Sequence, residues 1–335
     1  MYKIEKLNLT GNIKAILNKG KTILLYKESE KVSYNATHGN YEVLLYELST
    51  QNDYKLIHKI IFESVFSPID IAMLSNEIIV ISGRKFLLIF KKANTFYETH
   101  QKICNNSLAE ITKIKEIKNG SFGVCGWYGF MIFEKSSYDK YHKSFEINRS
   151  ILNYYWITDF AEIKDKENSF VLCGDKKAFI INGKNIINEI TFKDPKFFIN
   201  NDDYICEFQD NLFIIPSIQH ITLINTSENK FKQIDFLEEI KLKPSTPKLP
   251  PPIFLDDSSI YKYDMNSVII FTKKGIFIVK IIDNERIQVN ICIKIGYYHL
   301  LKFIDEERSL FFDKKDGVYK LKFNKKLNYF INNLN

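Results

Sequence analysis

Glycine and proline are scarce in this 335-residue chain, at 13 and 8 residues, which excludes a collagen-like chain. The cysteines, Cys104, Cys125, Cys173, Cys206 and Cys292, are odd in number, and no two are spaced Cys-x-x-Cys. That argues against a disulfide framework and against a zinc site. It leaves them as small apolar side chains in a reducing compartment. No apolar run approaches the roughly 20 residues of a membrane-spanning helix. The best candidate, Val268 to Ile282, is broken by Lys273, Lys274 and Lys280. The first residues, Met-Tyr-Lys-Ile-Glu-Lys-Leu-Asn-Leu, alternate charged and apolar side chains where a secretory signal needs an apolar stretch. The expected location is the cytoplasm or the nucleus.

Catalytic signatures are missing too. There is no Gly-x-Ser-x-Gly elbow and no Gly-x-Gly-x-x-Gly loop. His38, His58, His100, His142, His220 and His299 include no pair at a metal-ligand spacing. A loose phosphate-loop match, Ala15-Ile-Leu-Asn-Lys-Gly-Lys-Thr22, runs into a strand pattern, Thr22 to Tyr26. A phosphate cradle needs a helix there, so this segment reads as a hairpin turn. A non-enzymatic protein without metal or cofactor is expected.

What the chain has is strand signal. Hydrophobic residues make up 45% and aromatic residues 14%, and Lys plus Arg exceed Asp plus Glu by 47 to 40. Short β-branched and aromatic runs recur between Asn, Asp, Gly or Lys turns, for example Phe86-Leu-Leu-Ile-Phe90, Asn211-Leu-Phe-Ile-Ile215 and Ser267-Val-Ile-Ile-Phe271. These runs repeat. Residues 69–103 match 112–146 at a constant offset of 43, with Gly83 on Gly126 and Phe90 on Phe133. Ile111-Thr112 matches Ile157-Thr158, and Cys125-Gly126 matches Cys173-Gly174. Ser267, Gly275 and Val279 match Ser309, Gly317 and Leu321 at an offset of 42.

A period of about 42–48 residues with four strands per unit is the signature of a β-propeller blade. The expected fold is therefore all-β: a seven-bladed propeller, with six or eight blades as alternatives, in a single domain over residues 1–335. Innermost strands are predicted at Asn12–Leu17, Ile69–Leu74, Ile111–Ile117, Ile157–Ile163, Tyr204–Phe208, Ser259–Tyr263 and Leu300–Ile304. Insertions are expected at residues 27–41 and 237–258. Two segments compete for the outer strand of the last blade: Tyr2 to Leu9, or Leu327 to Ile331.

Cys125-Gly-Trp-Tyr-Gly-Phe-Met-Ile-Phe133 reads as the end of a second strand, a turn and a third strand, and Asp316-Gly-Val-Tyr-Lys-Leu321 as a turn and third strand. In these residues the chain resembles the WD-repeat family, with Phe133 where the family's Trp closes the third strand. Gly-His and Trp-Asp dipeptides are absent, so the family's Asp–His–Ser–Trp hydrogen-bond network does not carry over. By analogy, the resemblance implies a subunit of an intracellular complex.

Strands a to d of a blade run outward from the channel. The b–c turns and d–a crossovers share one face, and the a–b and c–d turns share the other. The b–c turns read Gly83-Arg84-Lys85, Gly126-Trp127-Tyr128, Asp175-Lys176-Lys177, Lys273-Lys274-Gly275 and Lys314-Lys315-Asp-Gly317. The opposite turns carry Glu77, Asp165, Glu167, Asp210 and Asp283. One face is thus expected to be basic and the other neutral to acidic. A basic ring attracts an acidic or phosphorylated protein partner, with Trp127 and Tyr128 as flat anchors. A phosphoinositide headgroup or RNA is the alternative ligand, and RNA requires more exposed aromatics beside the lysines. Lys241-x-x-Pro244-x-x-Pro247 in the second insertion also fits an SH3-type ligand, or a stiff interblade loop.

Overall fold

The computed structural model describes residues 2–9, 12–17, 22–28, 39–50, 53–64, 70–83, 85–94, 96–105, 108, 111–194, 204–217, 219–236, 259–272, 275–283, 286–293, 300–304, 309–314 and 317–323. These form seven four-stranded antiparallel sheets. Sheet 1 holds β2 (Asn12–Leu17), β3 (Thr22–Glu28), β4 (Gly39–Leu48) and β5 (Tyr54–Ser64). Sheet 2 holds β6 (Asp70–Met73), β7 (Ile79–Gly83), β8 (Phe86–Ala93) and β9 (Phe96–Cys104). Sheet 3 holds β10 (Ile111–Glu116), β11 (Phe122–Gly126), β12 (Gly129–Lys135) and β13 (Tyr141–Asn148). Sheet 4 holds β14 (Ile157–Glu162), β15 (Ser169–Gly174), β16 (Lys177–Asn182) and β17 (Asn185–Thr191). Sheet 5 holds β18 (Cys206–Gln209), β19 (Leu212–Pro216), β20 (His220–Asn225) and β21 (Lys230–Asp235). Sheet 6 holds β22 (Ser259–Lys262), β23 (Ser267–Thr272), β24 (Gly275–Asp283) and β25 (Arg286–Ile293). Sheet 7 holds β26 (Leu300–Ile304), β27 (Ser309–Lys314), β28 (Gly317–Phe323) and, outermost, β1 (Tyr2–Leu7).

The start of the chain therefore supplies the outer strand of sheet 7. Leu327 to Ile331 lie outside the described residues, as do residues 29–38 of the first insertion and 237–258 of the second.

Backbone contacts divide the chain into two compact units. One contains sheets 4, 5 and 6, and the other contains sheets 1, 2, 3 and 7 apart from its end residues. In the four-sheet unit β6 adjoins both β2 and β10, and β2 adjoins β26. In the three-sheet unit β18 adjoins β22.

The sequence pattern follows position in the sheet. Second strands β7, β11, β15 and β19 are buried along their whole length, as strands covered on both faces must be. The fourth strand β13 is buried only at Tyr141 and Ile147, and its Lys143 and Glu146 stay polar. The cores lie between consecutive sheets: Ile71, Ile81, Tyr41 and Val43 join sheets 1 and 2, and Phe208, Leu223, Val268 and Phe277 join sheets 5 and 6.

Irregularities repeat with the sheets. The register of β10 on β11 slips between Ile111 and Lys113, and that of β14 on β15 slips between Ile157 and Asp159. The residues so displaced, Thr112 and Thr158, donate their hydroxyls to the carbonyls of Cys125 and Cys173. This gives the repeated Ile-Thr and Cys-Gly pairs a physical meaning: together they build one bulge. A second bulge recurs on the fourth strand, at Ile57 and Ile187, and leaves both isoleucines exposed.

Candidate interaction surface

In sheets 3 and 4 the b–c hairpin closes with two residues, so the turn side chains are carried directly on strand ends. In sheet 3, Gly126 pairs with Gly129, and Trp127 and Tyr128 form the turn. Gly129 has φ +114°, a region that L side chains rarely adopt. A Cβ there would lie 2.2 Å from the Ile147 carbonyl oxygen. The glycine therefore permits the close approach of strand β13 that carries the next part of the site.

After β13 the chain crosses toward sheet 4 through residues 149–156. This crossover is held by its own bonds. Asn148 O accepts Ile151 N–H at 3.1 Å, Arg149 O accepts Tyr154 N–H at 2.7 Å, and Leu152 O accepts Tyr155 N–H at 3.1 Å. Leu152 is fully buried and anchors it. Asn153 and Tyr154 have φ values of 52° and 64°. For a tyrosine the left-handed region is costly, and it persists here because the surrounding bonds fix it.

The crossover meets the turn. Arg149 N–H donates to Tyr128 O at 3.0 Å. The Arg149 guanidinium lies 4.0 Å from the centroid of the Trp127 ring and 5.0 Å from that of Tyr154. Trp127 packs edge-on against Trp156, with centroids 5.5 Å apart. These are the chain's two tryptophans. Tyr128, Ile151, Tyr154 and Trp156 are all exposed, Tyr154 at 65%. Rigid aromatics beside an arginine form the surface type that dominates binding energy at protein interfaces.

Sequence reasoning singled out Trp127 and Tyr128 but missed Arg149, Tyr154 and Trp156. The available signal was Arg149-Ser-Ile-Leu-Asn-Tyr-Tyr-Trp156, an aromatic-rich crossover on the same face as that turn. The basic set is only partly placed. Lys85 and Lys176 are exposed turn residues. Lys177 is the first residue of β16 and is ion-paired to Glu189 of β17, so its charge is partly neutralised. Lys314 ends β27, and Arg84, Lys273, Lys274 and Lys315 lie outside the described residues. The Lys241 to Pro247 segment also lies outside them.

Several acidic residues at the opposite strand ends are bonded within the structure. In the four-sheet unit Glu116 accepts both the backbone N–H and the hydroxyl of Ser75, and Glu77 pairs with Lys92 at 2.7 Å. Asp139 holds Lys91 and Lys135, which lowers its carboxyl to about 2. In the three-sheet unit Glu207 pairs with Lys164 at 2.6 Å and holds that ammonium above its usual range, and Asp165 accepts from Asn211 at 2.7 Å. Within each unit some of these bonds join neighbouring sheets, as Ser75 to Glu116 and Lys164 to Glu207 do, whereas the b–c end of sheet 3 leaves Tyr128, Tyr154 and Trp156 exposed.

In sheet 5 the b–c turn has its own clamp, also missed from sequence. Asp194, just after β17, accepts from the Ser217 hydroxyl at 3.0 Å, from Gln219 N–H and from His220 Nδ1 at 2.7 Å. An Asp–His–Ser network thus exists here without the family's Gly-His or Trp-Asp dipeptides.

No family model matches the sequence, and no curated protein matches it. Solved structures do. A streptogramin B lyase is 13% identical, with a TM-score of 0.60 over 96% of this chain and 98% of its own. A chain of a mitotic checkpoint complex is 8% identical, with a TM-score of 0.66 over 96% of this chain and 91% of its own. The Neurospora crassa Pan2 WD40 domain is 8% identical, with a TM-score of 0.58 over 93% of this chain and 89% of its own. The fold is a seven-bladed β-propeller. The likeness to WD40 propellers is one of structure, and these neighbours range from a chain of a checkpoint complex to a lyase, so the fold by itself fixes no activity.

Proposed function

We propose that this propeller is a non-enzymatic protein-interaction scaffold, a subunit of an intracellular complex. Its b–c face binds an acidic or phosphorylated segment of a protein partner. The observation that carries the reading is the exposed aromatic cluster around Arg149, assembled from the b–c turn of blade 3 and the crossover that follows it. Rigid aromatic rings lose little entropy on docking, and an adjoining arginine selects a negative partner. Exposed Lys85 and Lys176 add positive potential to their own b–c turns.

The test is affinity capture from native lysate at moderate salt. The unaltered protein is run beside a variant with Arg84, Lys85, Lys176, Lys177, Lys273 and Lys274 changed to Glu, and beside Trp127→Ala/Tyr154→Ala. A defined acidic partner retained by the first and lost by both folded variants supports the reading. An identical set from all three contradicts it.

RNA is a second reading, favoured by the exposed rings of Tyr128, Tyr154 and Trp156 as stacking surfaces. It predicts a steep loss of affinity with salt and no dependence on a protein partner.

A further inference from the structure

Arg149 is half-buried with two aromatic rings beside its guanidinium and a buried Nε that has no hydrogen-bond partner. Trp127 lies 4.0 Å away on one side and Tyr154 5.0 Å away on another. No carboxylate among the described residues pairs with this side chain. A guanidinium keeps its charge, and its N–H groups form a planar fork. Stacking satisfies the ring-facing surfaces but none of the in-plane donors. A half-buried cation without a carboxylate partner is a cost to the folded state, and an oxyanion that meets the terminal N–H groups of the guanidinium offsets part of it.

The strain points the same way. Tyr154 is held in the left-handed region by the Arg149 O···H–N Tyr154 bond, so residue 149 contributes both the cation and the anchor of the ring that stacks on it. Exposed Ile151, Trp156 and Tyr128 lie on the same turn and crossover and add apolar surface there.

We infer that Arg149 is a pre-positioned receptor for a single oxyanion, the carboxylate of an Asp or Glu or the phosphate of a phosphorylated residue, presented by an apolar-flanked peptide. The inference rests on the scaffold reading above and sharpens it: one arginine, not the lysine turns, fixes which residue of the partner is recognised. Two N–H groups of the fork meet two oxygens, while the flanking apolar side chains of the peptide lie against Tyr154 and Trp156.

Because Trp127 and Trp156 are the chain's two tryptophans, intrinsic fluorescence reports binding without a label. The probes are three Leu- and Gly-flanked decapeptides whose central residues are glutamate, phosphoserine or glutamine. The glutamate or phosphoserine peptide, or both, is expected to shift the emission, and the glutamine peptide is not. The two charged arms tell which oxyanion is preferred. Arg149→Gln and Arg149→Lys are each expected to weaken binding about 30-fold or more, since an ammonium has no planar fork. Should these variants unfold, the unaltered protein still decides: inorganic phosphate must compete the peptide off where chloride at equal ionic strength does not. If charged peptides bind but Arg149→Lys binds equally, or phosphate competes no better than chloride, the Arg149 inference is overturned and the scaffold reading stands. If no charged peptide outbinds the glutamine peptide, both fall. Tighter binding of a single-stranded oligonucleotide overturns both in favour of base stacking.

Discussion

The carboxylate of Asp70 accepts the backbone N–H of Ile114 at 2.8 Å, pinning the first strand of blade 2 to the first strand of blade 3. Asp159 does the same in the other unit, accepting Tyr204 N–H at 2.7 Å and Ile205 N–H at 3.0 Å. Both carboxylates are buried. Removing one leaves buried donors bare, at about 1–3 kcal/mol each. Asp70→Ala is therefore expected to lose about 1–3 kcal/mol, and Asp159→Ala more. Urea unfolding of the two variants checks the order, and equal or negligible losses contradict it.

Acid should loosen the opposite end. Lys135 and Lys91 lower the Asp139 carboxyl from 3.8 to about 2. A carboxyl depressed in the folded state stabilises fully above its unfolded value and loses that contribution as pH falls from about 4 toward 2. The group is solvent-exposed, so the effect is about 0.5 kcal/mol at low salt. Asp139→Asn should flatten that part of the stability profile. An unchanged slope between pH 4 and pH 2 would falsify the assignment.

At Gly129 the backbone itself is the determinant. Its φ of +114° and the 2.2 Å approach of Ile147 O leave no room for a methyl group. Gly129→Ala is expected to cost about 1–3 kcal/mol, and to shift tryptophan emission because the Trp127 turn must move. Emission identical to the parent's would show that the turn does not depend on this glycine.

Tyr97 offers the reverse case. Its ring is buried, its hydroxyl has no hydrogen-bond partner among the described residues, and burial pushes its pKa to about 12. Tyr97→Phe removes an unsatisfied buried group. It should leave stability unchanged or raise it by about 1 kcal/mol. A clear drop in thermal midpoint would reveal a partner for that hydroxyl.

Most of the blade plan was legible in the sequence because apolar runs separated by turn residues encode buried strands directly. Asn12–Leu17 and Leu300–Ile304 are strands at those bounds, and Ile157–Glu162 differs from the expected strand by its last residue. For β18 the expectation began at Tyr204, but the strand begins at Cys206, because the amides of Tyr204 and Ile205 are bonded to Asp159. The interaction surface was half legible. Turn residues Trp127 and Tyr128 follow from hairpin position alone. The stacking of Arg149 does not, since it depends on how residues 149–156 fold back on that turn, and no period in the sequence encodes a crossover. Pairing of Lys177 with Glu189 was likewise invisible, being a contact across two strands of one sheet.

The central claim, that the b–c end of blade 3 is the docking surface, is tested most directly by site-specific photo-crosslinking. A benzophenone amino acid is placed at Tyr128, in the exposed b–c turn, or at Tyr138, 86% exposed in the c–d turn at the other end of the same blade. The account predicts an adduct with an acidic partner from Tyr128 that is lost with Arg149→Gln, and none from Tyr138. An adduct from Tyr138 alone, or equal adducts from both positions, would contradict it.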